Sequence, residues 1–191
     1  MSKTKPIPDD STLRTMVRKW VSEEDQRQSM IDEYGSIEDW DVSKCIDMSG
    51  LFVCDNRETF QADLSRWDVS NVITMHAMFK KCHMFSCDLS SWDVSNVKSM
   101  SRMFEKCAHF NSDLSSWDVS NVNDMSRMFM GNTCFNSDLS SWDVSNVNDM
   151  SQMFENCILF NSDLSSWDVS NVYDLALMFK ECHMFTSDLS Q

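Results

Sequence analysis

The sequence is poor in glycine and proline, with 3 and 2 in 191 residues. That scarcity excludes collagen-like chains, Gly-rich phosphate cradles and Pro-rich linkers. It is also poor in base. Sixteen Lys and Arg stand against 30 Asp and Glu, a formal charge of −14. Phosphate binding rests mainly on Lys and Arg, so nucleic acid is disfavoured, and so is an anionic membrane surface. No run of 18 apolar residues occurs, so no bilayer-spanning helix is expected. Residues 1–20 lack an apolar h-region, and no signal peptide is visible. The eight cysteines include no Cys-x-x-Cys pair.

What is present is a repeat. Trp occurs at 40, 67, 92, 117, 142 and 167, with one gap of 27 and then four of 25. A fixed period of this length marks stacked repeats. Complete units start at Leu64, Leu89, Leu114, Leu139 and Leu164. An irregular first unit opens at Ile37, with a two-residue insertion between Phe52 and Phe60. A further unit begins at Leu189.

Within a unit the apolar spacing changes. Leu114, Trp117 and Val119 suit a short extended stretch, with Trp117 and Val119 inward and Ser116, Asp118 and Ser120 outward. Val122, Met125, Met128 and Phe129 then follow a helical spacing. Asn121, with Asp124 three residues on, suits a helix N-terminus, as do Asn146/Asp149 and Asn171/Asp174. The asparagines at 71, 96, 121, 146 and 171 are expected to cap helices or to bridge adjacent corners. These spacings predict an α/β fold of 25-residue strand–helix units. No unit buries its own Trp, Met and Phe, so stacking must create the core.

Residues 1–36 fall outside the period and predict an N-terminal helical cap on the 37–191 repeat region, the whole forming one structural domain. Ser11 starts an amphipathic stretch with Leu13, Met16, Val17 and Trp20 inward. Ser22-Glu23-Glu24-Asp25 suits a second capping box, and Gly35 a helix stop. No comparable cap is expected at the C-terminal end. Self-association through that edge, at Leu189, is therefore an expectation.

The string Trp-Asp-Val-Ser-Asn-Val-x-x-Met-x-x-Met-Phe-x-x-Cys-x-x-Phe-Asn-x-Asp-Leu-Ser resembles the BspA-type leucine-rich-repeat surface proteins. The resemblance covers about residues 37–190. It implies a right-handed leucine-rich-repeat-like solenoid, a place at the cell surface, and adhesion or partner binding. It carries over no catalytic residue. Cys45 and Asn132 depart from the pattern.

Stacking would turn each repeat position into a column. Asp41, Asp68, Asp93, Asp118, Asp143 and Asp168 form one, and Asp63, Asp88, Asp113, Asp138, Asp163 and Asp188 another. Strand spacing of about 4.8 Å makes neighbouring charges repel by roughly 1 kcal/mol even in water. Hydrogen bonds from backbone N–H groups and serine hydroxyls offset that most simply. The alternative is Ca²⁺ held by Asp68, Asp93, Asp118, Asp143 and Asp168, although no Gly-rich calcium loop is present. No other cofactor is implied.

The outward strip is Ser91, Asp93 and Ser95, then Ser116, Asp118 and Ser120, Ser141, Asp143 and Ser145, and Ser166, Asp168 and Ser170. Cys82, Cys107, Cys157 and Cys182 share one repeat position and predict a ladder of buried thiols, which fits a reducing compartment. No Ser-His-Asp or Cys-His arrangement stands apart from the columns. The expected function is a non-enzymatic interaction or adhesion module meeting a basic or polar protein partner through the acidic strip. A cation- or mineral-binding array and a structural spacer or self-assembling module are the alternatives.

Overall fold

The structure is a computed structural model and describes residues 5–22, 27–53 and 60–187. Its regular helices lie at the N-terminus: α1 (Asp10–Ser22), α2 (Arg27–Tyr34) and a 3-10 turn at Ile37–Asp39. Helix α1 begins one residue before Ser11. Its cap is Asp9, whose Oδ1 accepts the Thr12 N–H at 2.7 Å. Leu13, Met16 and Val17 are buried, while Trp20 is half-buried and meets the Trp40 ring edge-on at 5.5 Å. Gly35 ends α2 at φ +82° and donates its N–H to Ile31 O, as the sequence predicts. The proposed box at Ser22-Glu23-Glu24-Asp25 involves residues outside those described, apart from the backbone of Ser22.

The α/β solenoid of strand–helix units is overturned, and with it the leucine-rich-repeat assignment. Among the described residues, no helix follows Asp39 and no continuous strand forms. Neighbouring repeats meet instead at single parallel bridges, Asp47 to Thr74, Thr74 to Ser99, Ser99 to Asp124, Asp124 to Asp149, and Asp149 to Asp174. These bridges fall in the stretch where a helix was expected, not in the Leu114–Val119 stretch where a strand was.

The reason lies in a spacing of three. Met128 N–H donates to Met125 O, Met130 to Arg127 O and Asn132 to Phe129 O, each closing a tight turn. The alternate amides of Met125, Arg127, Phe129 and Gly131 donate to Asp149, Ser151, Met153 and Glu155 of the next repeat. A helix would send every N–H to the carbonyl four residues back. Left-handed backbone at Arg127 (φ +57°) and Gly131 (φ +76°) breaks it twice per repeat. Successive turns still direct Val122, Met125, Met128 and Phe129 inward, and all four have no exposed surface. Consecutive turns and a short helix thus share one apolar pattern.

The facing of the first half of each repeat holds without a strand. Trp117 and Val119 are buried, and Ser116 and Asp118 are exposed. The indoles of Trp92, Trp117, Trp142 and Trp167 each donate to the Leu carbonyl one repeat back, Trp117 to Leu89 O at 3.0 Å and Trp142 to Leu114 O at 2.9 Å, while Trp67 donates to Ile37 O. Two phenylalanine ladders fill the interior. Phe79, Phe104, Phe129, Phe154 and Phe179 stack with centroids 5.7–5.8 Å apart. Phe85, Phe110, Phe135, Phe160 and Phe185 run beside them at 5.9–6.3 Å.

Candidate functional site

Each aspartate column is built from local turns. Asp93 Oδ1 accepts the N–H and hydroxyl of Ser95, at 3.0 and 2.6 Å, and Asp143 does the same with Ser145. Asp68 accepts from Ser70, Asp118 from the Ser120 N–H and Asp168 from the Ser170 N–H. A short carboxylate that reaches the amide two residues on is an Asx turn, which needs only Asp-x-Ser. The Ser95, Ser145 and Ser170 hydroxyls and amides hold Asp93, Asp143 and Asp168 below the ordinary aspartate range.

The second column uses the same device and adds a link between repeats. Asp88, Asp138 and Asp163 accept the amides of Ser90, Ser140 and Ser165, and also the hydroxyls of Ser112, Ser162 and Ser187 from the next repeat. The Ser amides and hydroxyls lower the titration of all three, as they do for Asp113. The hydrogen-bonding account of the columns therefore fits the geometry. Among the described residues no three His, Cys, Asp or Glu side chains converge as a metal site would require. Asp188 lies outside those residues.

The strip is exposed at Ser91, Asp93, Ser116, Asp118, Ser141, Asp143, Ser166, Asp168 and Ser170, and half-exposed at Ser95, Ser120 and Ser145. Its hydroxyls are not idle. Ser91, Ser116, Ser141 and Ser166 donate to the carbonyls of Ser65, Ser90, Ser115 and Ser140 one repeat back. Each carboxylate is thus fixed in direction on a surface whose serines pin the layers together. Leu189, the expected association edge, lies outside the described residues.

The asparagines bridge corners and cap no helix. Nδ2 of Asn71, Asn96, Asn121, Asn146 and Asn171 donates to Ser43, Ser70, Ser95, Ser120 and Ser145 O at 2.7–2.9 Å. Asp124 and Asp149, expected as capping-box partners, close Asx turns on Ser126 and Ser151 beside the parallel bridges.

The thiol ladder is present, and it is more than small apolar packing. Cys82, Cys107, Cys157 and Cys182 each donate to a Phe carbonyl, at Phe52, Phe79, Phe129 and Phe154. Burial pushes the Cys157 and Cys182 thiols up, and raises Cys45 to about 12, so none is poised as a nucleophile. Asn132 occupies the same column, wholly buried, with neither side-chain polar atom paired. Cys87 fills a serine position, where its sulfur accepts the Leu64 N–H at 3.1 Å. Cys54 lies outside the described residues.

Sequence reasoning expected a cap at the N-terminal end and none at the C-terminal end, but it missed the side chains that make the first. At the N-terminal end Asp10 Oδ1 accepts the amides of Ile46 and Asp47, and the Arg14 guanidinium donates to Ser49 O and Asp47 O. Arg14 also pairs with the Asp47 carboxylate at 3.0 Å. At the C-terminal end Val169, Tyr173, Leu175, Leu177 and Met184 are 40–78% exposed. A signal for the first was available in the Asp10…Arg14 spacing at the start of α1, which places both side chains on one helix face.

No helix among the described residues is long and apolar enough to cross a membrane. No curated protein matches the chain. A family model described as "Mycoplasma protein of unknown function, DUF285" matches residues 22–129 and 109–191. Those segments take in α2, the 3-10 turn and every repeat, with only the last residue of α1, and the chain belongs to that family.

Proposed function

We propose that this chain is a non-enzymatic protein-interaction module that meets a basic or polar partner through the strip of Asp68, Asp93, Asp118, Asp143 and Asp168. One observation carries the reading. The carboxylates recur once per repeat on one exposed face, and each is oriented by its own Asx turn. Fixed charges cost less ordering entropy on binding than free side chains do. A linear array of one sign also steers an oppositely charged partner and makes association salt-sensitive. The resemblance of the repeat to BspA-type surface proteins supports an adhesive role at a cell surface.

The test uses a fluorescent Lys-rich peptide as probe, titrated into the full chain at about 50 and 500 mM salt. The comparison variant is the triple change Asp93→Asn, Asp118→Asn, Asp143→Asn. Asparagine keeps an oxygen for the Ser amide and loses the charge. The expected result is binding that weakens with salt and falls at least about tenfold in the variant, with unfolding little changed. Equal binding by variant and parent would remove the strip from the reading.

A further inference from the structure

The bases of this chain are few and unevenly placed. Lys80, Lys81, Arg102, Lys106 and Arg127 lie in the turns that follow Met75, Met100 and Met125, with one carboxylate, Glu105, among them. Lys106 is exposed and the other four are half-exposed. Lys80 pairs with Glu105 Oε1 at 3.3 Å, and Arg102 lies 3.8 Å from Oε2. One carboxylate thus serves two cations. Arg127 donates to the neutral Gln152 Oε1 at 2.7 Å, a bond that orients its charge without cancelling it. This corner keeps a surplus of positive charge on three successive repeats of a chain that is −14 overall. Gly131 gives the row room. A Cβ there would come within 3.3 Å of Lys106 Cγ, so the Lys106 stem lies over the next repeat.

The basic corner and the acidic strip stand on opposite sides of the core. Lys81 follows Asp68 by 13 residues in a layer of 25, and Lys106 follows Asp93 by the same 13, half a circuit. The rings just before the two rows meet inside. Phe79 and Trp92 have centroids 6.2 Å apart, and Phe104 and Trp117 6.4 Å. Lys80 and Glu105 leave the core beyond the Phe rings, and Asp93 and Asp118 beyond the Trp rings. Both rows are laid down by one stack, so both advance by one repeat per step.

We propose that the basic corner docks the acidic strip of a second copy of this chain, side by side and parallel. Lys81, Lys106 and Arg127 of one copy then meet three successive strip carboxylates of the next. The inference names the partner of the strip and rests on the reading of it given above. A second copy supplies both the sign and the spacing, where another acidic surface supplies the sign alone. Two such chains repel at long range. At 0.1 M salt the Debye length is about 10 Å, so the groups on the facing surfaces decide the contact. Opposite faces of one molecule cannot both be used in a two-fold pair, so the association is open-ended.

The experiment follows mass by light scattering at about 100 and 500 mM salt. Two variants of the full chain are compared, Lys81→Gln/Lys106→Gln/Arg127→Gln at the corner and Asp93→Asn/Asp118→Asn/Asp143→Asn on the strip. The parent's mass is expected to rise with concentration beyond two chains at the lower salt and to fall to one chain at the higher. Each variant alone should associate at least about tenfold more weakly. Mixed, they should form a complex of one chain of each, because one keeps the corner and the other the strip. A parent that stays monomeric, a mass that stops at two chains, or variants that ignore each other overturns the proposal. A parent that binds the Lys-rich peptide through its strip yet stays monomeric overturns this inference and leaves the earlier reading standing. Should a variant fail to fold, carbodiimide cross-linking of mixed isotope-light and isotope-heavy parent chains decides. Links between copies from Lys81 or Lys106 to strip aspartates are expected, and links confined to other residues overturn the proposal.

Discussion

The two ends of the stack face one problem and meet it differently. At the N-terminal end side chains take part of the last row of peptide groups. Asp10 takes two amides, Arg14 takes two carbonyls, and Leu13, Met16 and Val17 cover the apolar interior. At the C-terminal end the equivalent groups face outward, with Leu177 53% and Tyr173 78% exposed. The difference teaches that closure here takes a separate element, helix α1, because a repeat has no means of satisfying its own edge. Its amides are aimed at a neighbour by the same backbone that places its Phe and Met inward.

The largest effect expected is on the ladders. Phe52→Ala, in the covered first repeat, should cost about 3–5 kcal/mol in urea unfolding. Phe179→Ala, in the half-buried last repeat, should cost less than half of that. Equal losses would mean that the C-terminal end is covered in solution.

Arg14→Met comes next. It removes two hydrogen bonds and an ion pair while keeping an apolar stem, and should cost about 2–3 kcal/mol. Its counterpart at the open end, Glu181→Gln, should shift stability by less than about 0.5 kcal/mol. A loss under about 1 kcal/mol for Arg14→Met would remove α1 from the role assigned to it.

Between the ends, Asn132→Cys restores a thiol that can donate to a Phe carbonyl, as its column neighbours do. It also removes two unpaired buried polar atoms. A gain of about 1–2 kcal/mol is expected from thermal unfolding. A loss would show that the Asn132 amide is satisfied, for instance by internal water.

The smallest effect is on pH. Asp93, Asp143 and Asp138 titrate below the ordinary range because their turns hold the charged form. At Asp47 burial works the other way, but Ser49 and then Arg14 outweigh it. A depressed folded-state pKa contributes stability above the unfolded value, lost as pH falls through the folded one. The melting temperature should therefore be flat near neutrality and decline below about pH 4. In Arg14→Met the decline should be shallower, since Asp47 has lost one group that lowers its titration. An identical slope would separate Asp47 from the cap.

Much of the site was legible in the sequence, and less of the fold. The Asp-x-Ser spacing is local chemistry, so the strip and its hydrogen bonds follow from the residues alone. The same holds for the burial of Trp117 and Val119, because alternation decides facing whether or not a strand forms. Val122, Met125, Met128 and Phe129 misled. Inward residues three apart fit a helix, and they equally fit a chain of tight turns. What separates the two is the left-handed backbone at Arg127, Gln152 and Leu177, residue types that carry no signal for it.

The sequence by itself determined the period, the columns, the inward set and the acidic outward face. These depend on which residue stands where in each repeat. Only the tertiary structure decided the direction of the peptide groups. An amide that bonds four residues back makes a helix, and one that bonds the next repeat makes a bridge. The neighbour that receives it is 24 residues away in the chain, at Asp149 for Met125. Whether that neighbour is present, as at Met125, or absent among the described residues, as at Leu175, is settled by stacking and not by local preference.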